Sequence, residues 1–160
     1  MQIPKASLLC FLLSCLPLSA GVFDSIEFGD PYGTVQAKLM KSDLASTDLP
    51  ETLFGRTGIN GVFTTTRKVG GQAFELFFTF ESQALTEIQL QASNPASYAK
   101  ATRNLEAIRR ELTILHGSPS QSGDLPSESQ LPTGGAYLFE TWHPKSGGTI
   151  LCGLQKTEAG

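Results

Sequence analysis

The chain has 160 residues, with 12 Lys and Arg against 15 Asp and Glu, two histidines and a net charge of −3. Its basic residues are scattered, and Arg67-Lys68 and Arg109-Arg110 are the only adjacent pairs. Neither pair could neutralise a run of phosphates, so composition excludes nucleic acid as a natural partner.

The first twenty residues have the layout of a secretory leader. Lys5 supplies a positive start, an apolar run covers residues 6–18, and the small pair Ser19-Ala20 closes the segment. Such leaders carry an apolar region of roughly 7–15 residues before a small-residue cleavage site. The run falls short of the about 20 residues a membrane span requires. The sequence therefore predicts export, with residues 1–20 a signal peptide and residues 21–160 a single α+β domain. Removing Lys5 leaves 11 basic against 15 acidic residues, a net charge of −4. A domain of this size buries roughly two thirds of its unfolded surface and needs no covalent staple.

Cysteine usage points the same way. Cys10 and Cys15 lie in the leader, so the processed chain keeps only Cys152 and makes no internal disulfide. That is uncommon in small eukaryotic secreted domains. No Asn-x-Ser/Thr acceptor exists either, since Asn60, Asn94 and Asn104 are followed two residues on by Val62, Ala96 and Glu106. Both absences lean towards a bacterial route, periplasmic or secreted. A lipid-anchored alternative rests on Leu12-Leu13-Ser14-Cys15, which resembles a lipoprotein signal and makes Cys15 a candidate acylation site. Only that modification would attach the protein to a membrane.

In chain order, residues 32–41 predict a short helix weakened by Gly33. Residues 44–59 read as irregular. Residues 61–69 are rich in β-branched and aromatic types and predict a strand, turned by Gly70-Gly71 into a second strand over residues 73–80. There Phe74, Leu76, Phe78 and Phe80 share one face, with Glu75, Phe77 and Thr79 on the other. After a turn at residues 81–84, the strand 85–91 points Ile88 and Leu90 inward.

Residues 95–116 carry the clearest pattern. Tyr98, Ala101, Leu105, Ile108, Leu112 and Leu115 recur at helical spacing, Asn94 suits the N-cap, and Gly117 with Pro119 ends the helix. Its four aliphatic residues would contribute roughly 6–12 kcal/mol on burial. Residues 118–134 are dense in Ser, Pro and Gly and read as a flexible loop. Residues 137–143 and 149–154 predict a second hairpin around residues 144–148, before a frayed tail from 155. The expected fold is an antiparallel sheet of about five strands, crossed on one face by the long amphipathic helix and preceded by the short N-terminal helix.

Both halves run helix, loop, strand, strand. The carrying residues are Val35-Gln36-Ala37-Lys38-Leu39, then Phe78-Thr79-Phe80 through Leu85-Thr86-Glu87-Ile88. In the second half they are Leu112 to Pro119 and the strand holding Trp142. This order resembles small bacterial envelope lipoproteins of the SmpA/OmlA type and the related β-lactamase-inhibitor-protein fold. Met40-Lys41-Ser42 stands where that family has a Gly-Pro helix ending. The resemblance implies a protein-binding module in envelope assembly, or an inhibitor, without catalytic residues.

The residues able to carry chemistry are few. His116, His143 and Cys152 are the only strong metal ligands left after processing, without HExxH or paired CxxC spacing, so no metal and no cofactor are expected. Cys152 and His143 lie on neighbouring predicted strands and could form a nucleophile pair. The competing reading is a core cysteine, since Cys152 sits between Leu151 and Gly153. Gly55, Gly58 and Gly61 form a GxxGxxG run, but it leads into a strand and not a helix, which favours a turn or bulge over a phosphate cradle. Trp142 fits either a core position or an exposed anchor. Phe77 marks the otherwise polar face of its strand, which is either covered or a contact patch.

The sequence thus predicts a non-enzymatic binding or assembly module of the bacterial cell envelope, its partner another envelope protein. Phe77, Trp142, Gly55 and Gly58 are the candidate contact residues. A secreted inhibitor and a small Cys-His hydrolase are the alternatives.

Overall fold

The computed structural model describes residues 6–11, 23–68, 71–92, 97–143 and 149–156. Strands β1 (Ala6–Phe11), β2 (Ala45–Ser46), β3 (Thr64–Thr65), β4 (Phe74–Glu81), β5 (Ala84–Ala92), β6 (Gln121–Ser122), β7 (Ala136–Trp142) and β8 (Ile150–Lys156) form one antiparallel sheet. The order is β2-β3-β4-β5-β1-β8-β7-β6. Four strands on one side and three on the other are joined through β1 alone. The helices are α1 (Tyr32–Leu39), the four-residue α2 (Phe54–Thr57) and α3 (Tyr98–His116). The α+β class is as expected, and all five expected strands occur. The three further strands are β1, which lies inside the leader segment, and the two-residue β2 and β6.

The β4–β5 hairpin forms because its sequence alternates. Phe74, Leu76 and Phe78 are buried on one side, while Glu75, Phe77 and Thr79 are half-buried or exposed on the other. Ser82 and Gln83 make the turn with φ of 50° and 69°, the handedness that matches the strand twist in two-residue hairpins. The register then shifts: Phe80 faces Leu85 while Thr79 faces Glu87, leaving Thr86 as the extra residue of a bulge. That insertion puts Leu85 and Ile88, three apart, both into the core.

Helix α3 begins at Tyr98, later than expected. Ser97 is its N-cap, with its hydroxyl accepting the Lys100 N–H at 3.3 Å. The expected cap Asn94 and Pro95 lie outside the described residues. Ala101, Leu105, Ile108 and Leu112 are buried as their spacing requires, and α3 lies against β1 and β8. Leu115 departs from the expected stripe. It is half exposed beside the exposed Ile114 because the last turn runs past the core, so the aliphatic contribution comes from three residues and falls to roughly 4.5–9 kcal/mol. Gly117, at φ 81°, ends the helix by donating to the Thr113 carbonyl.

Three other expectations change in detail. The strand expected over residues 61–69 contracts to Thr64–Thr65, since Gly61 takes φ 69° and leaves extended geometry. The loop 118–134 is anchored instead of featureless: it contains β6 and a 3-10 turn at Glu128–Gln130 closed by a Ser127–Gln130 capping box. Leu131 is buried and the Tyr98 hydroxyl donates to the Pro126 carbonyl. Burial, with the negative charge of Glu128, raises the Tyr98 pKa. Finally, β8 extends through Gln155 and Lys156, two residues expected to fray. Gly70, the turn at 144–148 and Cys15 lie outside the described residues.

Candidate partner interface

Strand pairing fixes which side chains share the sheet face away from α3. Glu75 pairs with Gln91, Phe77 with Gln89 and Thr79 with Glu87 on β4 and β5. Gln91 lies across β1 from Gly153, which in turn faces Leu138 of β7. Thr141 and Leu151 pair one step further along. Apart from the buried Gly153, each of these residues is half-buried or exposed, and Leu138 remains 43% exposed. The result is a broad, open, largely uncharged sheet face with Phe77, Leu138 and Leu151 as its apolar points. Two glutamates, Glu75 and Glu87, lie among the polar residues at its β4–β5 end.

The glycine run belongs to the same region, where Gly58 and Gly61 shape the turns beside β4. Gly55 lies within α2, while Gly58 terminates that helix at φ 70°. Asn60 then lies along the outer edge of β4 as a substitute strand. Its carbonyl oxygen accepts the Phe78 N–H at 2.7 Å and its amide donates to the Phe78 carbonyl at 3.1 Å. The Gly61 N–H donates to the Leu76 carbonyl at 2.8 Å, and the Leu76 N–H to the Phe63 carbonyl at 2.9 Å. Thr65 Oγ1 accepts the Phe74 N–H at 3.0 Å. An edge that would otherwise invite strand pairing is thereby closed by side chains and turns. A Cβ on Gly61 would come within 3.3 Å of the Phe77 ring, so the loop half-covers Phe77.

Trp142 belongs to the core. It is 1% exposed, and its indole N–H donates to the Gly117 carbonyl at 3.0 Å, tying β7 to the end of α3. This removes it from the candidate contacts. Cys152 is fully buried opposite Glu140, whereas exposed His143 lies three positions beyond Glu140, past the end of β7. Three strand residues span about 10 Å. The two groups therefore do not meet, and His143 instead stands 3.4 Å from the Thr149 hydroxyl. The other histidine, His116, has its pKa lowered by burial.

One charged group is built into the core. Glu140 is 1% exposed, and its Oε1 accepts from Arg109 Nε and Nη2, each at 2.7 Å. Ser122 Oγ stands 3.4 Å from the same oxygen. The pair locks α3 to β7. The available signal was parity: Glu140 and Trp142, two apart on β7, share the core side by simple alternation. A second ion pair, Asp30–Lys38 at 2.7 Å, fastens α1 to the turn before it. Burial raises the Asp30 pKa, but the Lys38 hydrogen bond, the Glu27 N–H and the Lys38 charge together outweigh it and hold the carboxyl below its usual value.

No three His, Cys, Asp or Glu side chains converge as a metal site, and no helix is long and apolar enough to cross a membrane, among the described residues. No family model, curated protein or solved structure matches the chain.

Proposed function

We propose that this protein is a non-enzymatic binding or assembly module exported to the bacterial cell envelope, which engages another protein through the open sheet face. The observation that carries the reading is that face itself: half-buried Phe77, flanked by Glu75 and Thr79, and exposed Leu138 stand as apolar points in a largely polar surface. Apolar points in a polar surround are the anatomy of a recognition surface. The groups that might have carried hydrolysis are committed elsewhere, with Cys152 in the core and His143 at a strand end.

Photo-cross-linkers placed at Leu138 and at Glu87, and at exposed Arg103 of α3 as a control, test this in the cells that make the protein. The same discrete adduct from both sheet positions, absent from Arg103, is the expected result. Equal labelling from all three positions, or none from the sheet, would defeat the reading.

A further inference from the structure

The leader segment and the centre of the sheet coincide. Residues 1–20 have the pattern of a removable signal, yet Ala6–Phe11 form β1, the strand that joins the two halves of the sheet. We propose that processing opens a slot between β5 and β8, and that this slot takes up an extended, apolar segment of another envelope protein as a replacement strand. The inference rests on the export reading above and names the kind of partner.

The geometry supports one occupant strand. Neighbouring strands lie about 4.8 Å apart, so β5 and β8 stand roughly 9.6 Å from each other with β1 between them. Six positions of β8, Leu151 to Lys156, and two of β5, Leu90 and Gln91, pair with β1. Without it, both strands present unsatisfied N–H and C=O groups to the same gap, the condition under which an added strand is recruited. Direct closure is the weaker solution. Both strands run antiparallel to β1 and hence parallel to each other, and parallel pairing is slightly less stable per residue. Closure would also displace α3, which lies across β1 and β8.

The walls define the occupant's chemistry. Leu90, Cys152 and Leu154, on the α3 side, are 5%, 0% and 0% exposed, so every second residue of the inserted strand must be apolar. On the open side Gln91, Gly153 and Gln155 are uncharged. Lys156, at the end that pairs with Ala6, is the one charge along the β8 wall and favours an acidic residue at the start of the partner strand. The occupant is therefore an uncharged, alternating segment of about six residues, antiparallel to both walls, with an acid tolerated at its first position.

The test compares the full chain with the processed form recovered from the same exporting cells, using hydrogen exchange read by mass spectrometry. The probe is a synthetic peptide of the Ala6–Phe11 sequence with charged solubilising ends. A second peptide with proline in place of Leu9, which pairs with both Gln91 and Gly153, is the control. The expected result is a monomeric processed form whose β5 and β8 amides exchange at least roughly tenfold faster than in the full chain. The first peptide should restore protection and the proline peptide should not. Full protection in the monomeric processed form without peptide would overturn the slot while leaving the binding-module reading intact. Protection in a processed dimer would overturn it in favour of a second copy as occupant. Recovery of unprocessed chain alone would overturn the export reading, and the slot with it.

Discussion

Replacing Arg109 by methionine leaves the carboxylate of Glu140 charged, 1% exposed and stripped of both short hydrogen bonds. Breaking a buried pair by removing one partner typically costs 3–5 kcal/mol, roughly, because the remaining charge is uncompensated. Here the Arg109 side chain is 40% exposed, so solvent already screens its end and the lower limit, about 3 kcal/mol, is expected. At about 2–4 °C per kcal/mol for a chain of this length, the midpoint of thermal unfolding should fall by about 6–12 °C. Glu140 Oε2 has no hydrogen-bond partner among the described residues, so the carboxylate gains little else from its surroundings. Removing both charges should therefore recover stability, and R109M/E140L should exceed R109M by at least about 1 kcal/mol. Urea unfolding of the parent, both single variants and the double variant measures the cycle. A loss below about 0.5 kcal/mol in R109M, or a double variant no better than R109M, would refute the claim that this pair is a buried lock between α3 and β7.

Three other perturbations probe separate parts of the fold. Asn60→Ala removes two hydrogen bonds to Phe78 and should cost about 2 kcal/mol in urea unfolding. The exposed β4 edge should also increase light scattering at high concentration, while Asn60→Asp, which keeps the acceptor, should fall between the two. Gly153→Ala forces a Cβ to within 2.4 Å of the Tyr137 carbonyl oxygen and 2.9 Å of Leu138 Cδ2, and should destabilise by at least about 2 kcal/mol in the same assay. For pH, the lowered His116 pKa means that folding favours the neutral ring. Its contribution is complete above the ordinary value of 6.5 and is lost as pH falls through the folded value. Stability followed by denaturant midpoint should thus decline below pH 6.5, and His116→Asn should remove that step. The Asp30 step should remain below its ordinary value of 3.8, since that pKa is also lowered.

Much of the fold was legible because its elements repeat with the period of their own backbone. Helix α3 follows from apolar residues three and four apart, and the β4–β5 hairpin from strict alternation around a short turn. The class and the buried state of Cys152 follow from the same patterns. The candidate interface was legible in one residue, Phe77, whose apolar side chain breaks the polar side of β4. The rest of that face, Leu138 and Leu151 above all, becomes one surface only when pairing across β1 sets the register between β5 and β8.

Local sequence could not reveal features that depend on meetings between distant segments. Asn60 lies 18 residues from Phe78, and Arg109 lies 31 from Glu140. Neither pair has a local signature, because a hydrogen bond depends on position in space and not on spacing along the chain. The Thr86 bulge turns Leu85 inward against simple alternation, and the glycine run becomes an edge cover when Gly61 adopts positive φ. By itself the sequence determined the α+β class, the long helix, the principal hairpins and the leader pattern, all set by local propensity and periodic burial. Only the tertiary structure decided that Trp142 is core, that Glu140 is buried against Arg109, and that Ala6–Phe11 fill the gap between two halves of a sheet. Those outcomes depend on which backbone and side-chain groups remain unsatisfied once the chain is compact, a condition with no counterpart in the linear sequence.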